Sequence, residues 1–399
     1  MNLSTVFAHR NAVQEPLPDL VVFSHLRWEF VTQRPQHIIN RMAQQRRVLF
    51  VEEPIGFTGD DRGTAHTISI GDNLTVIQSR VSWDRLIDEL APIVLRQMAA
   101  HRISNPVLWF YSAAFHGMTE RVPHRAVVYD CMDELTAFKG APEQLAAQEK
   151  ELLAKADVVF TGGKSLYEAK AKLHANVRCY PSSVDREHFE KATLEDTPIP
   201  NDIENIGAPI AGYIGAIDER IDLALLHAVA DSNPNVSFVM IGPVVKIDER
   251  DLPKLPNVHY LGMKSYAELP GYLKAFAVAT MPFALNDSTR FISPTKTLEY
   301  IAAMKPVVST AVRDVVRDYS HTVAIADSAK AFSNALQRFL NESPLEATRR
   351  LHRYDRVLNE RSWDTTVESM QRDMAAALAK SNAPSAPETA LSTNPAAAL

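Results

Sequence analysis

Cysteine is scarce in this sequence. Only Cys131 and Cys179 occur in 399 residues, each in or beside an apolar run. That excludes a disulfide scaffold and fits buried thiols in a reducing compartment. No spacing of Cys or His suits a metal site, so no metal is expected. No apolar stretch before Leu20 reads as a signal peptide or anchor. No run of about 18 apolar residues could cross a bilayer. A cytoplasmic protein is expected, with a peripheral contact at the inner membrane face left open.

Several site signatures are missing too. Gly-x-Gly-x-x-Gly does not follow the first strand candidate, which removes support for a dinucleotide-dependent dehydrogenase. Gly-x-x-x-x-Gly-Lys-Ser/Thr is absent, and with it a P-loop. Gly-x-Ser-x-Gly is absent, which argues against an esterase. No Asp-x-Asp pair follows a strand, where a metal–diphosphate site would want one. No cofactor is expected.

What is present is an ordinary globular composition, 46% hydrophobic and 23% charged. The length favours two domains. A net charge of −6 gives no general reason to expect a nucleic-acid partner, and none is expected. Residues 1–18 read as a flexible leader. Short apolar runs then alternate with helical periodicity over 19–190: Leu20–Phe23, Val48–Val51, Leu74–Ile77, Val107–Tyr111, Ala126–Tyr129, Val158–Thr161 and Val177–Tyr180. Such alternation indicates a parallel α/β sheet. The helix predicted over Trp83–Arg102 has an apolar face that suits either a membrane surface or a sheet. A polar, Pro-containing linker covers 191–206. The same pattern restarts over 207–345. A final helix is predicted from about Pro344 to Leu378, bounded as a unit at 346–379. The Ala/Pro/Ser/Thr-rich stretch 380–399 reads as a disordered tail.

The most informative stretch is Met281–Thr310. A strand ending at Met281 leads into the polar loop Asn286-Asp287-Ser288-Thr289-Arg290, then Ser293-Pro294-Thr295-Lys296, a helix through Glu299, and a strand at Val307–Thr310. In this βαβ unit the ligand loop lies at the carboxyl end of a strand. Ser293 is expected to cap the helix and Pro294 to occupy its first turn. Free amides and the helix dipole favour an anion there, and Lys296 adds a cation. Glu299, one turn on, is an acceptor for sugar hydroxyls. The set suits a diphosphate carrying a ribose.

Four segments, taken in order, resemble the GT-B glycosyltransferases of the retaining family-four type, including bacterial cell-wall and exopolysaccharide enzymes of teichuronic-acid type. They are Trp28–His37, Val128–Glu134, Pro181-Ser182-Ser183-Val184-Asp185, and Ser293–Glu299 with Lys305-Pro306-Val307-Val308. The resemblance spans about 19–375. It implies two Rossmann-like domains facing across a cleft, the first for the acceptor and the second for a nucleotide-sugar donor. It implies transfer to a glycan or lipid-linked acceptor with retention.

Residue by residue, the resemblance assigns the donor ribose to Glu299. The family's first Glu would fall at Phe291, so Asn286 or Asp287 is expected to substitute. Gly215 ends the first strand of the second domain. Arg220 stands in for a missing phosphate-binding Lys, Ala216 departs from a family Arg, and Lys296 shares the phosphate load with Ser293 and Thr295. Met263 and Lys264 fall where the base is contacted. Asp130 matches a family His near the reacting sugar, or is a buried hydrogen-bonded Asp. Arg34 suits the diphosphate or an acceptor phosphate. Two other readings of the same fold stay open: a sugar-nucleotide epimerase, and a non-catalytic glycan-binding or partner protein.

Overall fold

The computed structural model describes residues 17–381, so most of the expected leader and tail lies outside the described residues. In the first half, β1 (Leu20–Phe23), β2 (Val48–Val51), β3 (Thr64–Ile70), β4 (Leu74–Arg80), β5 (Val107–Phe110), β6 (Ala126–Cys131), β7 (Val158–Thr161) and β8 (Val177–Cys179) build one sheet. Its order is β3-β4-β2-β1-β5-β6-β7-β8. In the second half, β9 (Ile210–Ile214), β10 (Ser237–Ile241), β11 (Val258–Gly262), β12 (Val278–Met281), β13 (Val307–Thr310) and β14 (Ala324–Ala326) pair in the order β11-β10-β9-β12-β13-β14. Pairing is parallel throughout both sheets except between β3 and β4.

The apolar runs explain the sheets. Parallel strands covered on both faces need apolar side chains at every position, and β1, β2, β5 and β7 are buried end to end. Val21, Phe23, Leu108 and Phe110 point to one face, under the helices Leu86–Ala100 and Leu145–Lys155. Leu20, Val22, Trp109 and Phe160 point to the other, under Arg34–Ala43 and Trp363–Ser381. The amphipathic segment near Trp83–Arg102 is thus a sheet-covering helix. Its Leu90, Ile93, Val94 and Met98 are spent on the core.

One expectation needs correction. The long C-terminal helix is two helices, Pro344–Asn359 and Trp363–Ser381, interrupted at residues 360–362. Ser362 restarts the chain by accepting the Asp364 amide proton at 3.1 Å. The second helix returns to the first sheet, where Trp363 is buried. The antiparallel edge strand β3, with its polar and largely exposed sequence, was not foreseen from the pattern. The 191–206 segment packs against the second half. Lys274 Nζ donates to the carbonyls of Leu194, Glu195 and Thr197 at 2.7–2.9 Å.

Candidate functional site

In each sheet the strand order reverses at a central strand. β1 lies between β2 and β5, and β9 lies between β10 and β12. Ligand crevices in open parallel sheets form outside the carboxyl ends at such switch points. Here the loops after β1, β6, β9, β10, β11 and β12 enclose a cleft with two adjoining lobes, with cavity volumes of about 160 and 350 Å³. Phe30, Val31, Gly215, Ala216 and Lys296 border both. Arg34, Asp133, Arg220, Ser293 and Thr295 face the inner lobe. Gly242, Met263, Lys264, Tyr266 and Glu299 face the outer one.

Backbone rather than side chains floors the cleft. A Cβ on Gly242 would lie 2.0 Å from the Gly215 carbonyl oxygen. One on Gly215 would lie 2.5 Å from the Tyr213 hydroxyl. The turn after β10 can nest on the turn after β9 only because Gly242 carries no Cβ, and Gly215 leaves room for the Tyr213 ring. The Trp28–Val31 segment is fixed from below. The buried Glu52 carboxylate accepts the Trp28 amide at 2.6 Å, and Gln36 Nε2 donates to the Trp28 and Val31 carbonyls at 3.0 Å each.

The cations of the cleft are all held by carboxylates. Arg34, 2% exposed, donates from Nε and Nη2 to Asp130 at 2.9–3.2 Å and from Nη1 to the Tyr180 carbonyl at 2.6 Å. Burial opposes the Arg34 charge, but the Asp130 carboxylate prevails and holds its pKa above the ordinary value. Arg220 forks onto Asp218, with Nη2 to Oδ2 at 2.6 Å, and stacks over Phe138. Lys296 Nζ sits 3.1 Å from Glu299 Oε2, and Lys264 Nζ 2.6 Å from Asp202. These pairs fix each guanidinium and ammonium in place while leaving them on the cleft wall.

Three sequence expectations change. Asp130 is fully buried behind Arg34 and does not line the cleft, because the guanidinium stands between it and the cavity. Asn286 caps the turn Asp287–Thr289 by accepting from the Thr289 amide and the Ser288 hydroxyl, so it too stays out of the cleft. Ser293 does not cap the helix. The helix is Lys296–Ala302, its N-cap is Thr295 in a helical conformation, and no side chain caps it. Phe291 turns away and packs against the apolar core of the first half.

Asp133 was not singled out from the sequence. It sits just past the end of β6 and faces the inner lobe between elements of both halves. Burial pushes its carboxyl up to about 6, against the pull of Arg220 and Arg34. A usable signal was present: an acid in the short loop at the carboxyl end of a central strand. Tyr266 and Phe30 were also overlooked, since a lone aromatic in a loop carries no pattern.

Comparison with known proteins bears on the fold and on the second half of the chain. Residues 208–342 match the family model described as Glycosyl transferases group 1. A Bacillus subtilis (strain 168) protein named as a teichuronic acid biosynthesis glycosyltransferase, TuaH, is 23% identical over 287 residues, 67% of this chain and 70% of its own length. Sucrose-phosphate synthase from Thermosynechococcus elongatus superposes with a TM-score of 0.67 at 15% identity, over 91% of this chain and 100% of its own. A UDP-forming α,α-trehalose-phosphate synthase from Burkholderia vietnamiensis gives 0.67 at 14% identity, over 90% and 99%. The fold is that of the GT-B enzymes, and the second half carries a group 1 glycosyltransferase domain.

Proposed function

We infer that this glycosyltransferase moves a sugar from a nucleoside diphosphate to a hydroxyl of a glycan or lipid-linked glycan, with retention, in cell-envelope polysaccharide synthesis. One observation carries the reading: Lys296 and Glu299, one turn apart inside the group 1 domain, meet on the wall of a cleft that Arg34 and Arg220 also face. Glu299 takes the ribose hydroxyls, and Lys296, Arg220 and Arg34 take the diphosphate. Gly215, Ser293 and Thr295 line its path, and Met263 and Lys264 border the base. Cations held in place before the reaction need no reorganisation as the leaving diphosphate gains charge, which is usually the largest catalytic contribution. The envelope role rests on the name of the Bacillus relative.

The test is a thermal-shift screen with UDP, GDP, dTDP and ADP and their common sugars, with and without EDTA. A ligand at a hundredfold excess over Kd stabilises the folded state by about 2.7 kcal/mol. One nucleotide is expected to shift the wild type, and neither Lys296→Ala nor Glu299→Ala. Product anomers read by proton NMR decide retention. A second reading, binding without turnover, draws on Phe291, which leaves the cleft without a second acid at that point. A nucleotide shift with no transfer to any acceptor would favour it.

A further inference from the structure

We propose that Phe138 is a positioning residue for the donor diphosphate: from the first half of the chain it holds the guanidinium of Arg220 in the second. This rests on the transferase reading above, in which Arg220 serves the diphosphate. Arg220 is the one cation in the turn 215–222, which also carries Asp218, Glu219 and Asp222. So acidic a turn repels a diphosphate unless its cation is presented to the ligand. The Nε and Nη2 edge of Arg220 is taken up by Asp218 at 2.6–3.1 Å. Nη1 makes no hydrogen bond among the described residues, and Arg220 lines the inner lobe, so Nη1 is the donor left for a ligand oxygen.

A fork onto one carboxylate fixes a guanidinium within its plane but lets it rock about the fork. A ring across its face stops the rocking. The half-buried Phe138 supplies that ring, with its centroid 5.4 Å from Arg220 Cζ. Lys246 Nζ lies over the same ring at 4.8 Å. The ring attracts both cations through its quadrupole. It presents no full negative charge, so it does not compete with a diphosphate as a third carboxylate would.

Both sides of the contact are anchored. The second half holds the backbone of the turn: the Ala284 amide donates to the Arg220 carbonyl at 2.8 Å, and Asn286 Nδ2 to the Glu219 carbonyl at 3.2 Å. The first half meets its side chains. Next to Phe138, the Lys139 amide donates to Glu219 Oε1 at 3.2 Å, and Lys246 Nζ lies 3.8 Å from the same oxygen. Lys246 takes φ +62°, a backbone conformation easier for Gly or Asn, so the turn after β10 keeps its lysine at a cost. The Phe138 amide donates to the Leu135 carbonyl at 3.3 Å, and its carbonyl accepts from the Ala141 amide at 3.0 Å. Glu134, at the base of this loop, is held by the buried Lys170 at 2.8 Å.

The experiment compares wild type with Phe138→Leu, Phe138→Tyr, Arg220→Gln and the double variant Phe138→Leu with Arg220→Gln. The probes are UDP, GDP, dTDP and ADP, titrated by calorimetry, and their parent nucleosides, followed by ligand-observed NMR. Leu keeps an apolar side chain without a π face, and Tyr keeps the face. Phe138→Leu is expected to bind the diphosphate at least about fivefold more weakly, the size of one cation–π contact. Its nucleoside affinity, and the diphosphate affinity of Phe138→Tyr, should stay within about twofold of wild type. In the Arg220→Gln background the loss of the ring should change diphosphate binding by no more than about twofold. A diphosphate affinity within about twofold of wild type in a folded Phe138→Leu protein would overturn the assignment. Equal weakening for nucleoside and diphosphate, or full additivity with Arg220→Gln, would overturn it as well, since Phe138 would then be ordinary packing. Wild type that binds none of the diphosphates would overturn the donor-site reading, and the role of Phe138 with it.

Discussion

Arg34 and Asp130 are the pair on which the inner lobe rests. Both are essentially closed to solvent, 2% and 0% exposed, so their charges are separated from water and depend on each other. Removing one partner of a buried pair leaves an unpaired charge and costs about 3–5 kcal/mol, whereas replacing both by apolar groups is often neutral. Arg34→Met is therefore expected to lose about 3–5 kcal/mol in urea unfolding, and Arg34→Met with Asp130→Leu to recover most of it. The double variant should still fail to give the wild-type nucleotide shift, because the recovered fold lacks the cation. Equal losses in the single and double variants would show that the pair is not coupled as the geometry requires. The pair also marks how far the site could be read from sequence. Asp130 and Asp133 are three residues apart on the same short segment, and nothing in their types says which faces the cavity. That depends on Arg34, ninety-six positions away, closing over one of them. Asn286 misled for a similar reason: a polar loop residue suits both a sugar hydroxyl and a turn amide, and here the local amide wins.

At the scale of elements, the strands were legible because burial on both faces leaves them mostly apolar, with β1, β2 and β5 apolar throughout. β3 was not, because an edge strand with exposed residues lacks that signature. The helix break at residues 360–362 was hidden for want of Gly or Pro, since Glu360 and Arg361 suit a helix. Its one signal was Ser362 ahead of Trp363-Asp364, a helix start inside a helical pattern. The turns after β9 and β10 were legible as glycines but not as a nested pair. Gly242 has φ +146°, and its missing Cβ leaves room for the Gly215 carbonyl. Gly242→Ala must push the two turns apart at the cleft floor, and overpacking of this kind costs about 1–3 kcal/mol. We expect a folded protein with a lower melting temperature and a nucleotide affinity at least about tenfold weaker, a loss that each 1.4 kcal/mol of misplacement would produce. Titration calorimetry giving wild-type affinity would rule out Gly215 and Gly242 as the diphosphate floor.

At the scale of the molecule, the chain passes between its two halves twice, once through the segment near 181–200 and again at 360–362. The second passage matters for stability. The helix Trp363–Ser381 lays Trp363, Val367, Met370, Met374 and Ala377 over Val22, Trp109, Val128 and Phe160 of the first sheet. Polar ties flank it: Arg41 Nε to Asp364 at 2.7 Å, and the Tyr180 hydroxyl to Asp373 at 2.6 Å. Burying a large apolar side chain contributes about 1.5–3 kcal/mol, so the four large ones contribute on the order of 6–12 kcal/mol. That is as large as the whole stability of a typical domain, about 5–15 kcal/mol. A chain ending at Arg361 should therefore leave one face of the first sheet bare. We expect it to be insoluble, or to bind a hydrophobic dye with its near-ultraviolet dichroism lost, although everything removed lies beyond the group 1 domain in sequence. A soluble truncated protein with wild-type near-ultraviolet dichroism and melting temperature would contradict this. The last helix would then be a strap that the first sheet does not need.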